Sequence, residues 1–385
     1  MRFYKNVYSE INLDNLVHNL NIIRDINPDH KVIAVVKDDA YGHGAVDVSK
    51  KLIECGVEML AVGYIGEALE LRRCGISESI LIMGITPLDY LDELLDYGLT
   101  QTITSFEYAI LLSDALSIRK RKLKVHLKIE TGMGRVGLFA SDENFKIVNN
   151  IYRNPFFEVE GIYTHLSNSD NPSDDYTFKQ YELFKSFCNS LDRLKLNINY
   201  RHICNSSGIL NFKFNDMNCV RPGLLLYGYG NNTSFNDSFK FKSVMKLKAS
   251  IVHIKNVSKG EFIGYSKSYK VDREKVVATI NVGYGHGYPR YLSNKGIVIL
   301  KGKYCRVIGN ICMDHFMVDI TEVEGVKLFD SVTLMGEDSR KKINADDIAH
   351  IGGTICYEFL CGIRRKVPRV YVSGGNVVNI RECMV

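Results

Sequence analysis

No apolar stretch among the 385 residues approaches the length of a bilayer-crossing helix. The opening segment MRFYKNVYSEINLD also lacks the apolar centre of a secretory signal. A cytoplasmic location with no membrane partner is therefore expected. The ten cysteines stand at irregular spacings with no C-x-x-C pair. A chain this long buries enough core to need no disulfide staples, so reduced thiols are expected. Charge of one sign is not concentrated either. The net +5 is spread along the chain apart from RKRK at 119–122, which reads as a solvated loop or helix end and not as a nucleic-acid surface. HExxH, G-x-S-x-G, the P-loop and a post-strand GxGxxG are all missing, which sets aside the chemistries those motifs carry. GYGHG at 283–287 lacks dinucleotide spacing. No metal site is expected.

What is present is ordinary for a globular chain, with 45% hydrophobic and 24% charged residues. Short apolar runs near 32–37, 59–64, 80–84, 100–104, 124–130, 159–166, 200–206 and 219–227 read as strands. Amphipathic stretches such as Ala45–Cys55, Gly66–Arg73, Tyr90–Tyr97 and Phe178–Leu194 lie between them. Asp14 and Ser105 are placed to cap helices that follow them. Eight strands alternating with helices predict a (β/α)8 TIM barrel, here over 12–236. NNTSFNDSFK (231–240) is polar and turn-rich, as a linker would be. Beyond it, runs such as VMKLKASIVHIK, VVATINVGYG, GIVILKGKYCRVIG, FMVDI and SVTLMG are β-rich, with little helical pattern before Asn344–Ile351. The second domain, 237–385, is therefore expected to be predominantly β, with residues 1–11 packing on it. The fold class is α/β plus β.

The most informative segment is VIAVVKDDAYGHG (32–44). Val32–Val36 has the continuous β-branched character of a strand buried on both faces. Lys37 ends that strand, where a parallel barrel builds its catalytic face. A desolvated lysine there loses its proton and attacks a carbonyl, forming a Schiff base. Taken alone, a lysine ending a strand is more often a solvated charge. Tyr41, Gly42, His43 and Gly44 follow in a small loop that lets a ligand approach the backbone. KIETGMGRVG (128–137) holds Arg135 between glycines, either as an exposed turn residue or as a fork for a ligand oxygen. GIYTHLSNSD (161–170) places His165 at a sixth strand end, where a satisfied core histidine is the commoner reading. RHICNSSG (201–208) presents Asn205, Ser206 and Ser207, suited to a phosphate or to an ordinary N-cap. VRPGLLLYG (220–228) adds Arg221 and Gly223 after the eighth strand, the usual phosphate side of such barrels. The second domain offers Tyr265, Tyr284, Arg290, Met313, Asp314 and Tyr357, none of which claims chemistry unaided. The basic run around IRRKVPR (363–369) reads as the solvated face of an edge strand.

Together these segments, in order from INLDNLVHNL to VPRVY, resemble the alanine racemases, pyridoxal-phosphate enzymes of fold type III. The resemblance implies a barrel followed by a β-rich domain, and a cytoplasmic homodimer with shared active sites that supplies D-alanine for peptidoglycan. It implies that Lys37 holds pyridoxal phosphate covalently and serves as one catalytic base, with Tyr265 of the partner subunit as the other. Tyr41, Ser206, Gly223, Leu224 and Tyr357 would grip the phosphate. Arg221 would face the pyridine nitrogen, His165 would pack on the ring, and Arg135 would meet its phenolic oxygen. Met313 would lie by the substrate carboxylate. Lys128, often carbamylated in the family, would orient Arg135. Asp170, Tyr284, Arg290 and Asp314 would line the access corridor.

Four departures from the family pattern stand out: Asp38 where a small residue is usual, LSNSDNP after His165, His286 in place of an acid, and Asn310 in place of a corridor arginine. None removes a catalytic group. The expected substrate is alanine, with serine the first rival, since an apolar pocket rejects an added hydroxyl only modestly. A basic amino-acid decarboxylase and a non-catalytic cofactor carrier fit less well. The first conflicts with the placement of Arg221, and the second with the presence of a second domain.

Overall fold

The computed structural model describes residues 6–230 and 239–382. Eight short strands, Lys31–Val35, Met59–Val62, Ile80–Ile82, Thr100–Ile103, Leu123–Glu130, Phe157–Tyr163, Tyr200–His202 and Cys219–Val220, pair in parallel and in chain order. Cys219–Val220 then pairs with Lys31–Val35, which closes the barrel. The near-continuous burial of these strands is what helices on the outside and side chains on the inside require.

The connecting helices follow the amphipathic pattern. Ala45–Glu54, Ile65–Arg73, Leu91–Asp96 and Tyr176–Arg193 each lie within a residue or two of the expected spans. Ser105 caps Phe106–Arg119 by accepting from the Tyr108 N–H. The first helix, Leu13–Ile26, begins earlier than expected. Its cap is Asn12, which accepts from Asn15, while Asp14 lies inside the first turn and binds Ser373 and Gly374. The eighth strand is also shorter than the predicted 219–227. Pro222 cannot donate to a ladder, and Leu224–Tyr227 coils into a 3-10 turn. RKRK is a helix end: Lys120 adopts the left-handed C-cap, and Arg119 and Arg121 pair with Asp92 and Asp96.

The expected linker and the boundary at 236–237 fall mostly on 231–238, outside the described residues. Beyond them the chain is mostly strand. Ten strands form one sheet, in which Val7–Asn12 lies between Met245–Val257 and Arg369–Ser373. Pairing of Ser331–Asp338 back onto Met245–Val257 closes six of the ten into a ring. Helices Ala345–Gly352 and Cys356–Gly362 then bring Tyr357 and the IRRKVPR segment against the barrel. That segment is not a solvated strand face throughout. Arg369 is buried and donates to the carbonyls of Gly42, Ile363, Arg364 and Val367. The nine cysteines among the described residues are all free thiols. Among those residues no helix is long and apolar enough to cross a membrane.

Candidate active site

Immediately after the first barrel strand the backbone turns the wrong way. Asp38, Asp39, Ala40 and Tyr41 all have φ between 52° and 56°, one turn of left-handed helix built from non-glycine residues. Each such residue costs about 1–2 kcal/mol, so the turn survives only because its surroundings hold it. Glu67 accepts from the backbone N–H groups of Asp38 and Gly63. Asp39 accepts from the Ala45 N–H and lies 3.7 Å from the Arg369 guanidinium. Buried His43, whose pKa burial lowers to about 3, is neutral and turns Nδ1 to the Ala40 and Tyr41 carbonyls at 2.9 Å.

The result presents Lys37 at the barrel mouth, with its side chain 39% exposed and its Nζ 3.9 Å from an Asp38 carboxylate oxygen. Tyr41 is carried to the other side of the turn. Its ring lies 5.2 Å from that of Tyr227 and 5.9 Å from that of Tyr357. Its hydroxyl faces Gly223, where an added Cβ would sit only 2.5 Å away. The Ser206 hydroxyl accepts from the N–H groups of Gly223 and Leu225 at 3.0 and 3.2 Å, fastening the seventh-strand loop to the eighth. Tyr41, Ser206, Gly223 and Leu224 thus lie together, with the Tyr357 ring beside Tyr41, as one group of hydroxyls and backbone. Asp170 is close enough that its charge, after burial, helps hold the Tyr357 phenol up at about 12.

Arg221 forms the floor. It is buried, and its guanidinium donates to Thr164 O at 2.7 Å, Ile203 O at 3.1 Å, His202 Nδ1 at 2.9 Å and His165 Nδ1 at 3.3 Å. Burial lowers its pKa to about 10, which still leaves it charged at neutral pH. Burial and then the charges of Arg221, Arg135, Lys128 and Lys37 keep His165 neutral. Since Nδ1 accepts from an arginine, the His165 proton sits on Nε2. Lys128 is buried on the fifth strand, and its ammonium contacts the Ile129 carbonyl and the Tyr163 ring. Burial lowers its pKa to about 8. Arg135 lies beyond it in an exposed turn whose N–H groups bind Glu130.

The remaining expected residues form a second group on the β domain. Tyr284 and Gly285 donate to the carbonyls of Cys312 and Met313, at 3.1 and 2.9 Å, and Asn310 donates to the Tyr265 carbonyl at 3.0 Å. Tyr265, Tyr284, Met313 and Asp314 thus share one surface, with Arg290 in the adjoining turn. Tyr265 is 70% exposed and Met313 56%. Within the single chain no hydrogen bond joins Tyr265 to Lys37 among the described residues. Three supporting residues escape a reading of the sequence: Glu67 and Arg369, which brace the turn, and His202, which holds Arg221. His202 lies in the RHICNSSG segment and Arg369 in the basic run IRRKVPR, but neither segment shows the role from sequence.

Comparisons with known proteins find relatives over nearly the whole chain. The family description "Alanine racemase, N-terminal domain" matches residues 11–231, and "Alanine racemase, C-terminal domain" matches 244–371. The chain belongs to the alanine racemase family. Alanine racemase 1 of Clostridium acetobutylicum is 43% identical over 382 residues, covering 99% of both chains. The solved alanine racemase of Clostridium difficile 630 superposes with a TM-score of 0.95 at 36% identity, over 100% of both chains. That of Bartonella henselae, solved with covalently bound pyridoxal phosphate, does so at 0.84 and 26% identity, covering 96% of this chain and 100% of that one.

Proposed function

We propose that this chain interconverts L- and D-alanine with pyridoxal phosphate in a cytoplasmic homodimer, supplying D-alanine for peptidoglycan. The observation that carries the reading is the convergence of four groups at one barrel mouth: the amine of Lys37, the hydroxyl-lined cradle, the buried Arg221 cation and the neutral His165. The cradle suits the cofactor's phosphate in its chemistry, with the Tyr41 and Ser206 hydroxyls beside the bare backbone of Gly223, where a Cβ would lie only 2.5 Å from the Tyr41 hydroxyl. Lys37 would anchor the aldehyde, Arg221 would face the pyridine nitrogen, and Arg135 with Met313 would meet the oxygen and carboxylate end. When bound, pyridoxal phosphate supplies a conjugated ring that makes the substrate's α-hydrogen acidic.

The chain's own groups then handle the proton. Racemisation removes it from one face and returns it on the other, so two opposed bases are needed. Lys37 serves one face and Tyr265 of the partner subunit the other. A phenol with a pKa near ~10 needs help to act as a base near neutrality. His165 offers that help, because its Nε2–H is free to donate to a phenolate while Nδ1 stays bound to Arg221. The guanidinium gives up protons poorly, so it would leave a pyridine nitrogen facing it unprotonated. The exposure of Tyr265 supports donation across a subunit interface. Asp170, Tyr284, Arg290 and Asp314 would line the corridor to the site.

Substrate profiling tests the reading. Purified holoenzyme given each L-amino acid in turn should lose the optical rotation of alanine fastest, with slower turnover of serine. Carbon dioxide release from lysine or ornithine would replace the proposal with a decarboxylase.

A further inference from the structure

The cation at the floor of the site has no carboxylate among its four named acceptors, which are two carbonyls and two imidazole nitrogens. One of those imidazoles begins a longer sequence of contacts. A guanidinium only donates, so His202 Nδ1 accepts and the His202 proton sits on Nε2. That Nε2 lies 3.0 Å from His126 Nδ1, which must therefore accept in turn and leave the His126 proton on Nε2. His126 Nε2 lies 3.6 Å from the Glu160 carboxylate. Glu160 is itself fixed by the Thr100 hydroxyl at 2.7 Å and approached by Lys124 at 3.7 Å. The protons on His202 and His126 are thus assigned; the last, on His126 Nε2, makes no hydrogen bond and faces Glu160 at 3.6 Å as a charge contact.

Local features of the barrel are adapted to this chain of contacts. The ladder between the fifth and sixth strands slips by one residue between Val125 and His126, so that His126 opposes Gly161. A Cβ on Gly161 would lie 2.4–2.6 Å from His126 ring atoms, so only glycine admits the imidazole. Such bulges re-aim a single side chain. The ring of Tyr163 lies parallel to His202 at 4.7 Å, and that of Tyr200 stacks on His126 at 5.6 Å, which sets the plane of each imidazole.

We propose that His126 and Glu160 are positioning residues for Arg221, forming with His202 an oriented relay that fixes the guanidinium plane and provides a remote counter-charge. The proposal rests on the reading of Arg221 as the group facing the cofactor ring. Two measurements separate the relay from that reading. In cofactor-free wild-type protein with isotope-labelled histidine rings, long-range proton–nitrogen spectra should show His126 and His202 neutral and protonated at Nε2. A proton on Nδ1 of either ring, or a charged ring, overturns the relay, and no variant need fold for this to be decided. In the holoenzyme, Glu160→Gln should lower kcat on the order of tenfold, as loss of a supporting partner typically does, and shift the absorption of the bound cofactor. KM should stay within about twofold, because no substrate contact is lost. Unchanged kcat and absorption overturn the positioning role even where the tautomers are as assigned. Wild-type protein that takes up no pyridoxal phosphate overturns the reading of Arg221, and the role proposed here with it.

Discussion

Replacing Arg369 with leucine removes a clamp that holds the left-handed turn following Lys37. The guanidinium joins the Gly42 carbonyl, just past the left-handed turn, to three carbonyls of its own segment, and its charge lies 3.7 Å from Asp39. Asp39 is one of four consecutive positive-φ residues, which at about 1–2 kcal/mol each store about 4–8 kcal/mol of strain. Leucine keeps most of the buried volume but leaves the carbonyls and the carboxylate without their partner. Breaking a buried pair of this kind costs about 3–5 kcal/mol. The substitution should therefore lower the unfolding free energy by about that amount and let the turn relax. Relaxation moves Lys37 and Tyr41 together, so cofactor retention should fall with stability. Arg369→Lys should do better than leucine, because an ammonium keeps the charge near Asp39 while reaching fewer carbonyls. Urea titration with and without pyridoxal phosphate measures the stability. Hydrogen exchange over residues 38–44 measures the turn. A leucine variant within about 1 kcal/mol of wild type, with unchanged exchange there, would refute the idea that Arg369 offsets the strain.

Two further outcomes are expected at the site. Burial lowers the Lys128 pKa from 10.5 to about 8, so between those values the unfolded chain binds a proton that the folded one releases. Stability contributed at this position should rise by about 3 kcal/mol as pH climbs through that window and stay flat below it. Lys128→Met should abolish the rise, and parallel wild-type and variant curves in urea titrations at several pH values would contradict it. Gly223→Ala places a methyl 2.5 Å from the Tyr41 hydroxyl, in a ring held between Tyr227 and Tyr357. Overpacking of about 1–3 kcal/mol should weaken pyridoxal-phosphate binding by roughly tenfold or more, and an unchanged Kd would show that the cradle lies elsewhere.

The barrel is legible in the sequence because its eight strands are short, apolar and separated by amphipathic segments, a pattern that burial on both faces imposes. Where boundaries differ, single residues move them. Asn12 rather than Asp14 takes the cap because its side chain sits three residues before an N–H it can reach. Pro222 ends the last strand. The barrel residues of the cradle are readable because they come in the loops that follow strands, whereas Tyr357 comes from the helix Cys356–Gly362.

What cannot be read is created by tertiary contact. KDDAY contains no glycine, so nothing local announces four positive φ angles, which depend on Arg369 from the far end of the chain. A basic run resembles a solvated face until the carbonyls around Arg369 are seen. His126 and Glu160 lie in an ordinary strand pattern, and only the slipped register at Gly161 turns one toward the other.

The proposed proton exchange depends most on a site shared between two copies of the chain. Lys37→Ala and Tyr265→Phe variants, each inactive alone, can be unfolded together and refolded as a mixture. A mixed dimer pairs the intact Lys37 of one copy with the intact Tyr265 of the other and so contains one complete site. Random pairing of equal amounts should restore about a quarter of wild-type racemase activity. If the mixture remains inactive while mixed dimers form, each site takes both residues from one chain, and the proposed exchange between opposed faces fails.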